Sequence, residues 1–411
     1  MKVLFLNAYF KPETIAFTHL EEDLIEGLLK SGHSIEIICP VPSRGISKEV
    51  RKEYKKKKTE QLYEGRVRVR RFYCPREKRN PLSRAIRYFL CNFRQYQVAK
   101  KYKQIDCVFA NSTPPTQGLL GAKVAKKLSK KYKKEVPFIY NLQDVFPDSL
   151  ITTGLAKEGS LFWKIGRKIE NKTYEGANKI IVISDSMKEN IIQKGVPEEK
   201  IAIISNWIDT DAINPIEKNK NLLFEQFNVD KEKFNVVYAG NFGKAQGASV
   251  VLEAAEMLKE EKDIEFIIFG GGSEFEDAKE KAKNLDNVKI NSLLPMERTA
   301  EVYSLGDVAL ITCKKGVGRS GMPSKTWNIM ACNTPIVASF DIDSELAEII
   351  DKASAGMSVE PENPKALVDA IVALKKENIK SKGREYVVEN ASKTKCVQRY
   401  VDEICTVVKY K

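Results

Sequence analysis

Short apolar runs alternate with stretches of helical period along almost the whole chain, the pattern of a parallel sheet wrapped by helices. In the first half, residues 2–10 (KVLFLNAYF), 34–40, 106–111, 136–142 and 179–184 read as strands. Residues 17–32, 118–132 and 185–195 read as helices, the first closing at Gly32. The second half repeats the scheme. Strands are expected at 235–241, 264–272, 287–294, 308–313, 335–340 and 355–361, with helices at 248–260, 275–285, 297–306 and 344–353. Residues 201–221, polar and broken by Pro215, read as an interdomain linker. The last stretch places Val397, Tyr400, Val401, Ile404 and Val408 on one helical face, which needs a surface to pack on.

The fold class expected is therefore α/β, with two doubly wound parallel-sheet domains. We place them at 1–205 and 223–385, joined by a linker at 206–222. Residues 386–411 form C-terminal helices that return toward the N-terminal domain. Ligands of such sheets bind outside the carboxyl ends of the strands, so two facing sheets would share the cleft between them.

Composition narrows the picture. The chain has 411 residues, enough for two cores, and 43% are hydrophobic. No apolar run approaches the roughly 20 residues of a membrane-spanning helix. The apolar run at the N-terminus is too short for a signal peptide, which leaves a cytoplasmic protein as the expectation. Eight cysteines lie scattered without a C-x-x-C pair, and there are only two histidines, so neither a disulfide frame nor a metal site is expected. The net charge is +13, yet Arg44–Gln104 holds 21 Lys and Arg against 5 Glu, a balance of +16 that leaves −3 for the rest. Such a block reads as a footprint for an anionic partner.

Chemistry is expected at three places in the second half. The turn 239–247 (AGNFGKAQG) joins a strand to a helix, and Gly240, Gly243 and Gly247 allow close backbone approach around Lys244. It is neither a Walker loop nor a dinucleotide fingerprint. Gly270, Gly271 and Gly272 follow a buried strand and leave room for a ligand against the backbone. Finally, residues 320–340 (SGMPSKTWNIMACNTPIVASF) carry a single charge, Lys325. Ser324 suits an N-cap, whereas a lysine in the first helical turn opposes the helix dipole by about 0.3–1 kcal/mol. The mismatch makes sense if an anion sits at that helix end.

In order and spacing, GNFGKAQG, FGGGS, MPSKTWNIMACNTPIVAS and ISNWID resemble the GT-B glycosyltransferases of family 4. The closest subgroup adds aminosugars in O-antigen, capsule or exopolysaccharide assembly. The resemblance implies two facing Rossmann-like domains and a metal-independent, retaining transfer with no cofactor. The sugar, an N-acetylated aminosugar, would pass from a nucleoside-diphosphate donor, with UDP favoured, to a polyprenyl-diphosphate-linked saccharide. It implies that the donor diphosphate lies between Gly240, Asn241, Gly243 and Lys244 on one side and Met322, Pro323, Ser324, Lys325 and Asn328 on the other. The base and ribose would lie along Gly270–Gly272 and Leu293–Leu294. Lys244 and Lys325 would stabilise charge on the leaving diphosphate.

The chain also departs from the family. The usual E-x7-E carboxylates correspond to Ser320 and Asn328, and the usual Arg and Lys of the glycine turn to Asn241 and Gln246. On the acceptor side, Asp144 is expected near the anomeric carbon as base or cation stabiliser, with Asp148 second and His19 lining the cleft. A cap of the next helix is the open alternative for Asp144, a surface role for His19, and His33 reads as structural. Residues 81–103 interleave Arg84, Arg87, Arg94, Lys100 and Lys101 with Ile86, Tyr88, Phe89, Leu90 and Phe93, which suits peripheral attachment to the anionic inner face of the membrane. Other polysaccharide-assembly enzymes are possible partners, and nucleic acid is not expected, for want of a reader motif. Two alternatives stay open: a nucleotide-sugar 2-epimerase of the same fold, and a catalytically silent partner protein.

Overall fold

Strands built almost wholly of apolar residues can be buried on both faces only where helices cover a parallel sheet on both sides. The computed structural model, which describes residues 1–13, 17–77, 80–152, 157–318 and 322–409, has that arrangement twice. The first sheet contains β1 (Lys2–Leu6), β2 (Ser34–Pro40), β3 (Thr59–Leu62), β4 (Val67–Phe72), β5 (Cys107–Asn111), β6 (Phe138–Leu142), β7 (Lys179–Val182) and β8 (Ile201–Ile203). Among the described residues its order is β3-β4-β2-β1-β5-β6-β7-β8, parallel except for the β3–β4 pair. The second contains β9 (Phe234–Asn241), β10 (Ile264–Gly271), β11 (Val288–Ser292), β12 (Val308–Thr312), β13 (Ile336–Ser339) and β14 (Gly356–Val359), in the order β11-β10-β9-β12-β13-β14. In both sheets the strand order reverses direction at its centre, beside β1 in one and β9 in the other, where a doubly wound sheet opens a crevice.

The chain divides into two compact units, Met1–Asn206 with Thr394–Lys411, and Trp207–Lys393. The stretch expected as a linker is instead folded. Ile201–Ile203 forms the eighth strand of the first sheet, and Ile208 pairs with Ser392 inside the second unit. There the Arg384 guanidinium donates to the Thr210 and Ile213 carbonyls at 3.1 Å each. The C-terminal segment is also split. The helix Gly383–Asn390 packs within the second unit, against the helix Lys325–Ala331, while the helix Lys393–Lys409 buries Val397, Tyr400, Val401 and Ile404 in the first. Gly27 permits that last packing, because a Cβ there would meet the Val397 side chain.

The basic block is the largest departure from the sequence reading. Inside it lie the helix Lys48–Lys56 and two strands, β3 and β4, that charge concealed. Three of its arginines are structural. Arg51 donates to the Val41, Pro42 and Cys74 carbonyls, Arg71 to Lys11 O, and Arg87, 1% exposed, to Pro75 O and Ser43 Oγ. Guanidinium groups with five donors can knit loops to a sheet edge in this way, which lessens the block's surface charge.

Candidate active site

Two of the expected anion-binding elements converge. β9 runs through Tyr238 to Gly240, and the helix Lys325–Ala331 begins beside it. The Lys325 ammonium stands over the Tyr238 ring, 4.5 Å from its centroid. It lies so close to the Gly240 backbone that a Cβ there would be 2.5 Å from Nζ. Tyr238 is itself held by a 3.2 Å hydrogen bond from its hydroxyl to the Asn241 carbonyl. Lys325 is half-buried, and among the described residues no carboxylate pairs with it. Burial therefore pushes its pKa down to about 8. A desolvated, unpaired ammonium at the carboxyl end of a parallel strand is suited to receive an anion.

The surrounding residues fall into place around this corner. Asn241 Nδ2 donates to Gln246 Oε1 at 3.1 Å, closing the glycine turn on itself. Gly272 adopts φ +118°, and a side chain there would strike Asn241 and the Phe242 carbonyl. Gly270 faces the rings of Phe242 and Phe275, and its carbonyl accepts from Leu293 N at 3.0 Å. A Cβ on Gly271 would be 3.4 Å from Leu293 Cδ1, so these glycines and an exposed Leu293 form one wall; Leu294 is half-buried against the core. Lys244 stays exposed on the outside of the turn, and a Cβ on Gly243 would meet Asn241 Nδ2 and Gln246 Oε1. Ser324 adopts helical angles and its side chain caps nothing, contrary to the N-cap expected of it. Pro323 O takes the cap's part by accepting from Thr326 N at 3.0 Å, and Met322 packs on the core.

In the first unit, a cavity of about 700 Å³ opens at the carboxyl ends of β1, β5 and β6. Asn7, Glu21, Asn111, Gln143 and Asp144 contribute to its lining. Asp144 sits at its exposed rim, where local desolvation pushes its carboxyl up, opposed by Ser149 and assisted by Asp148. Asp148 itself is tied into the fold: Lys194 donates to it at 2.7 Å and Asn190 at 3.1 Å. His19 is exposed on the helix Thr18–Lys30 and is absent from the lining, whereas its neighbours Thr18 and Glu21 belong to it. His33 lies against Cys405, 3.3 Å from its Sγ.

The cavity wall is braced from the C-terminal helix. Tyr400, fully buried, donates to Asn141 Oδ1 at 3.0 Å, as does Gln143 Nε2, and Asn141 Nδ2 donates to Asn111 Oδ1 at 2.8 Å. This chain was invisible in the sequence, because 259 positions separate Tyr400 from Asn141. Tyr400→Phe is expected to lower the unfolding free energy by ~1 kcal/mol, read from a shifted urea midpoint at unchanged slope.

Comparison with known proteins agrees with this architecture. Glycosyltransferase Family 4 matches residues 22–212, and Glycosyl transferases group 1 matches 219–394. The chain belongs to the GT-B glycosyltransferases of family 4. It is 24% identical over 98% of its length, and 100% of the other's, to the putative colanic acid biosynthesis glycosyl transferase WcaI of Escherichia coli K12. It is 26% identical to the probable glycosyltransferase WbjE of Pseudomonas aeruginosa, over 66% of this chain and 68% of that one. Among solved structures, Anabaena Alr3699/HepE in complex with UDP has a TM-score of 0.69 at 15% identity, covering 99% of this chain and 100% of the other.

Ser320 and Asn328 stand where the resemblance expects the family's paired carboxylates. Ser320 lies outside the described residues. Asn328 is half-buried, and its amide donates to Ser324 O at 3.4 Å. One carboxylate that sequence reading missed does organise the neighbouring loop. Asp341, 5% exposed, accepts from Gly316 N at 2.9 Å and Gly318 N at 2.8 Å. Its place one residue after the expected strand 335–340 was the available signal, since that is where a parallel sheet carries function.

Proposed function

We propose that this glycosyltransferase moves a sugar, in its subgroup an N-acetylated aminosugar, from a nucleoside-diphosphate donor to a lipid-linked saccharide in cell-surface polysaccharide assembly. The observation that carries the reading is the unpaired Lys325 ammonium set against the Gly240 backbone. UDP is the favoured nucleotide, supported by the structural likeness to a protein solved with UDP. Polysaccharide assembly is supported by the name of the colanic acid relative.

Cleavage of the bond from the anomeric carbon to the diphosphate leaves negative charge on the nucleotide and oxocarbenium character on the sugar. Lys325 meets the first of these, and the ammonium gains most where water is excluded. The glycines at 240 and 270–272 let the nucleotide lie on the backbone, and the Leu293 wall supports the base and ribose. Lys244, exposed on the turn, adds charge at longer range. Asp144, at the rim of the first unit's cavity, serves the acceptor or the sugar cation. The acceptor hydroxyl enters on the face that the diphosphate leaves, which retains the anomeric configuration. Isothermal titration with UDP- and GDP-sugars tests the reading: binding of one class supports it, whereas no binding by either removes transferase and epimerase together. Donor hydrolysis without acceptor would count against a silent partner.

The lipid-linked acceptor implies attachment to the membrane's inner face. The helix Pro81–Ala99 buries Arg87, Cys91 and Gln95 but exposes Ile86, Phe89 and Phe93 along one stripe. The helix Leu161–Gly176, unremarked in the sequence, exposes Leu161, Phe162 and Ile165 beside Lys164 and Lys168. Among the described residues no helix is long and apolar enough to cross a membrane. Phe89→Ser with Phe93→Ser is expected to weaken sedimentation with phosphatidylglycerol-containing vesicles by ~10-fold or more. Equal binding by the wild type and this variant would refute the role of the stripe.

A further inference from the structure

Residues 41–44 follow β2, and three buried charged side chains hold this short loop. Glu13, 1% exposed, accepts from Ser43 N and Arg44 N through one oxygen, at 2.7 Å each. Arg51 donates to the Val41 and Pro42 carbonyls, and Arg87 to Ser43 Oγ at 2.9 Å. Connecting loops are ordinarily the mobile parts of a fold, so clamping one at successive residues with desolvated charges fixes what stands at its tip. That tip is Arg44, followed by a turn at Gly45 with φ +66°, and both residues line the first unit's cavity. The Arg44 guanidinium is exposed and lies over the Tyr9 ring, 5.8 Å from its centroid. Tyr9 is in turn fixed by the 2.8 Å bond its hydroxyl donates to Glu77. Among the described residues no carboxylate pairs with Arg44.

We infer that Arg44 is the recognition residue of an acidic-sugar subsite in this cavity, its guanidinium taking the carboxylate of a uronic-acid-type residue of the acceptor. The inference rests on the transferase reading above and adds to it the chemical class of the acceptor sugar. Among the described residues lining the cavity Arg44 is the one cation, beside the carboxyls of Glu21 and Asp144. Burial pushes the Glu21 carboxyl up to about 8, which leaves it mostly uncharged at pH 7. A sugar carboxylate brings one negative charge to one guanidinium. A diphosphate would bring two or more into a cavity that also holds the Asp144 carboxyl. The planar fork of arginine matches a planar carboxylate through two parallel hydrogen bonds, and an aromatic face behind it keeps the fork oriented. Asn111, Thr113 and Gln143 offer uncharged polar groups for the sugar's hydroxyls.

The test compares wild type, Arg44→Gln, Arg44→Lys and Lys52→Gln in the full chain. Lys52, exposed on the helix Lys48–Lys56 and absent from the cavity lining, controls for loss of one charge from the basic block. Affinities for methyl glucuronide and methyl glucoside, which differ only in a carboxylate at C6, are measured by saturation-transfer NMR, with UDP present to fill the donor corner. Wild type and Lys52→Gln are expected to prefer the glucuronide by ~10-fold or more, as a charge-assisted pair allows. Arg44→Gln reduces the preference to ~2-fold or less, and Arg44→Lys, a point charge without the fork, keeps only part of it. Arg44→Gln should melt within ~2 °C of wild type, since its guanidinium donates to no other described residue. No preference in wild type, or one that survives Arg44→Gln, overturns the subsite. So does an equal loss in Lys52→Gln, which would reduce the effect to the general field of the block. Pyrophosphate that displaces the glucuronide from the UDP-filled wild type at lower concentration than free glucuronate overturns the carboxylate in favour of a diphosphate. Absence of UDP binding in all four chains would instead strike at the transferase reading.

Discussion

Replacing Lys325 by Gln is expected to lower kcat/KM by ~10²–10³-fold, the loss typical of removing one preorganised group from a developing negative charge. Both kcat and donor affinity should fall, because in the proposed site the ammonium would meet the diphosphate before and during bond cleavage. The same substitution should raise the melting temperature of the unliganded protein, since it removes a charge that burial destabilises and that no carboxylate among the described residues compensates. Lower activity with higher stability identifies a group retained for function.

The pH dependence of this residue has a definite sign. Its folded pKa, about 8, lies below the ordinary lysine value of 10.5. Above pH 8 the free enzyme loses the ammonium, so donor affinity falls by up to ~10-fold per pH unit, as expected for one linked proton. Stability moves the other way. Between about 8 and 10.5 the unfolded chain holds a proton that the folded chain does not, so Lys325 contributes increasing stability as pH rises through that window. Donor KM measured from pH 7 to 9.5 for wild type and Lys325→Gln checks the first point. A parallel profile in both proteins would refute it.

Gly240→Ala is expected to cost ~10²-fold in kcat/KM, because the added methyl displaces the ammonium by an ångström or more. The Cβ would stand 2.5 Å from Nζ, too close for any real contact, and the lysine tip is the part free to move. Stability should change little, in contrast to Gly272, where φ is +118° and the clash is with the backbone. The decisive measurement is the double variant. If glycine acts by seating the ammonium, adding Gly240→Ala to Lys325→Gln lowers kcat/KM by no more than ~3-fold further, a strongly non-additive pair. Additive losses would mean that the methyl blocks the nucleotide directly.

The fold was legible wherever period and composition agreed. The runs at residues 2–10 and 264–272 are apolar on both faces, and only a covered parallel sheet accommodates such strands. The corner where Lys325 meets Gly240 was foreshadowed by one lysine in a nearly neutral stretch and by the glycine turn at 239–247. What charge disguised was misread. In VRVRRF the valines and Arg71 alternate inward, but arginines at every other position hid the strand. The strand Ile201–Ile203 was taken into a linker because its neighbours are polar. Ser324 fitted the composition of a cap, yet helical angles at that residue turned its hydroxyl away from the role.

The sequence by itself determined two parallel α/β units, the glycine turns and the lone cation, because hydrophobic period and backbone permissiveness are local properties. Only the tertiary structure decided that Lys325 stands on Gly240, that Tyr400 braces Asn141, and that Glu21 and Asn7 share one cavity. Those pairings join positions far apart in the chain, and burial, which strips water from a polar group and leaves it seeking a partner, arises only when distant elements close around it.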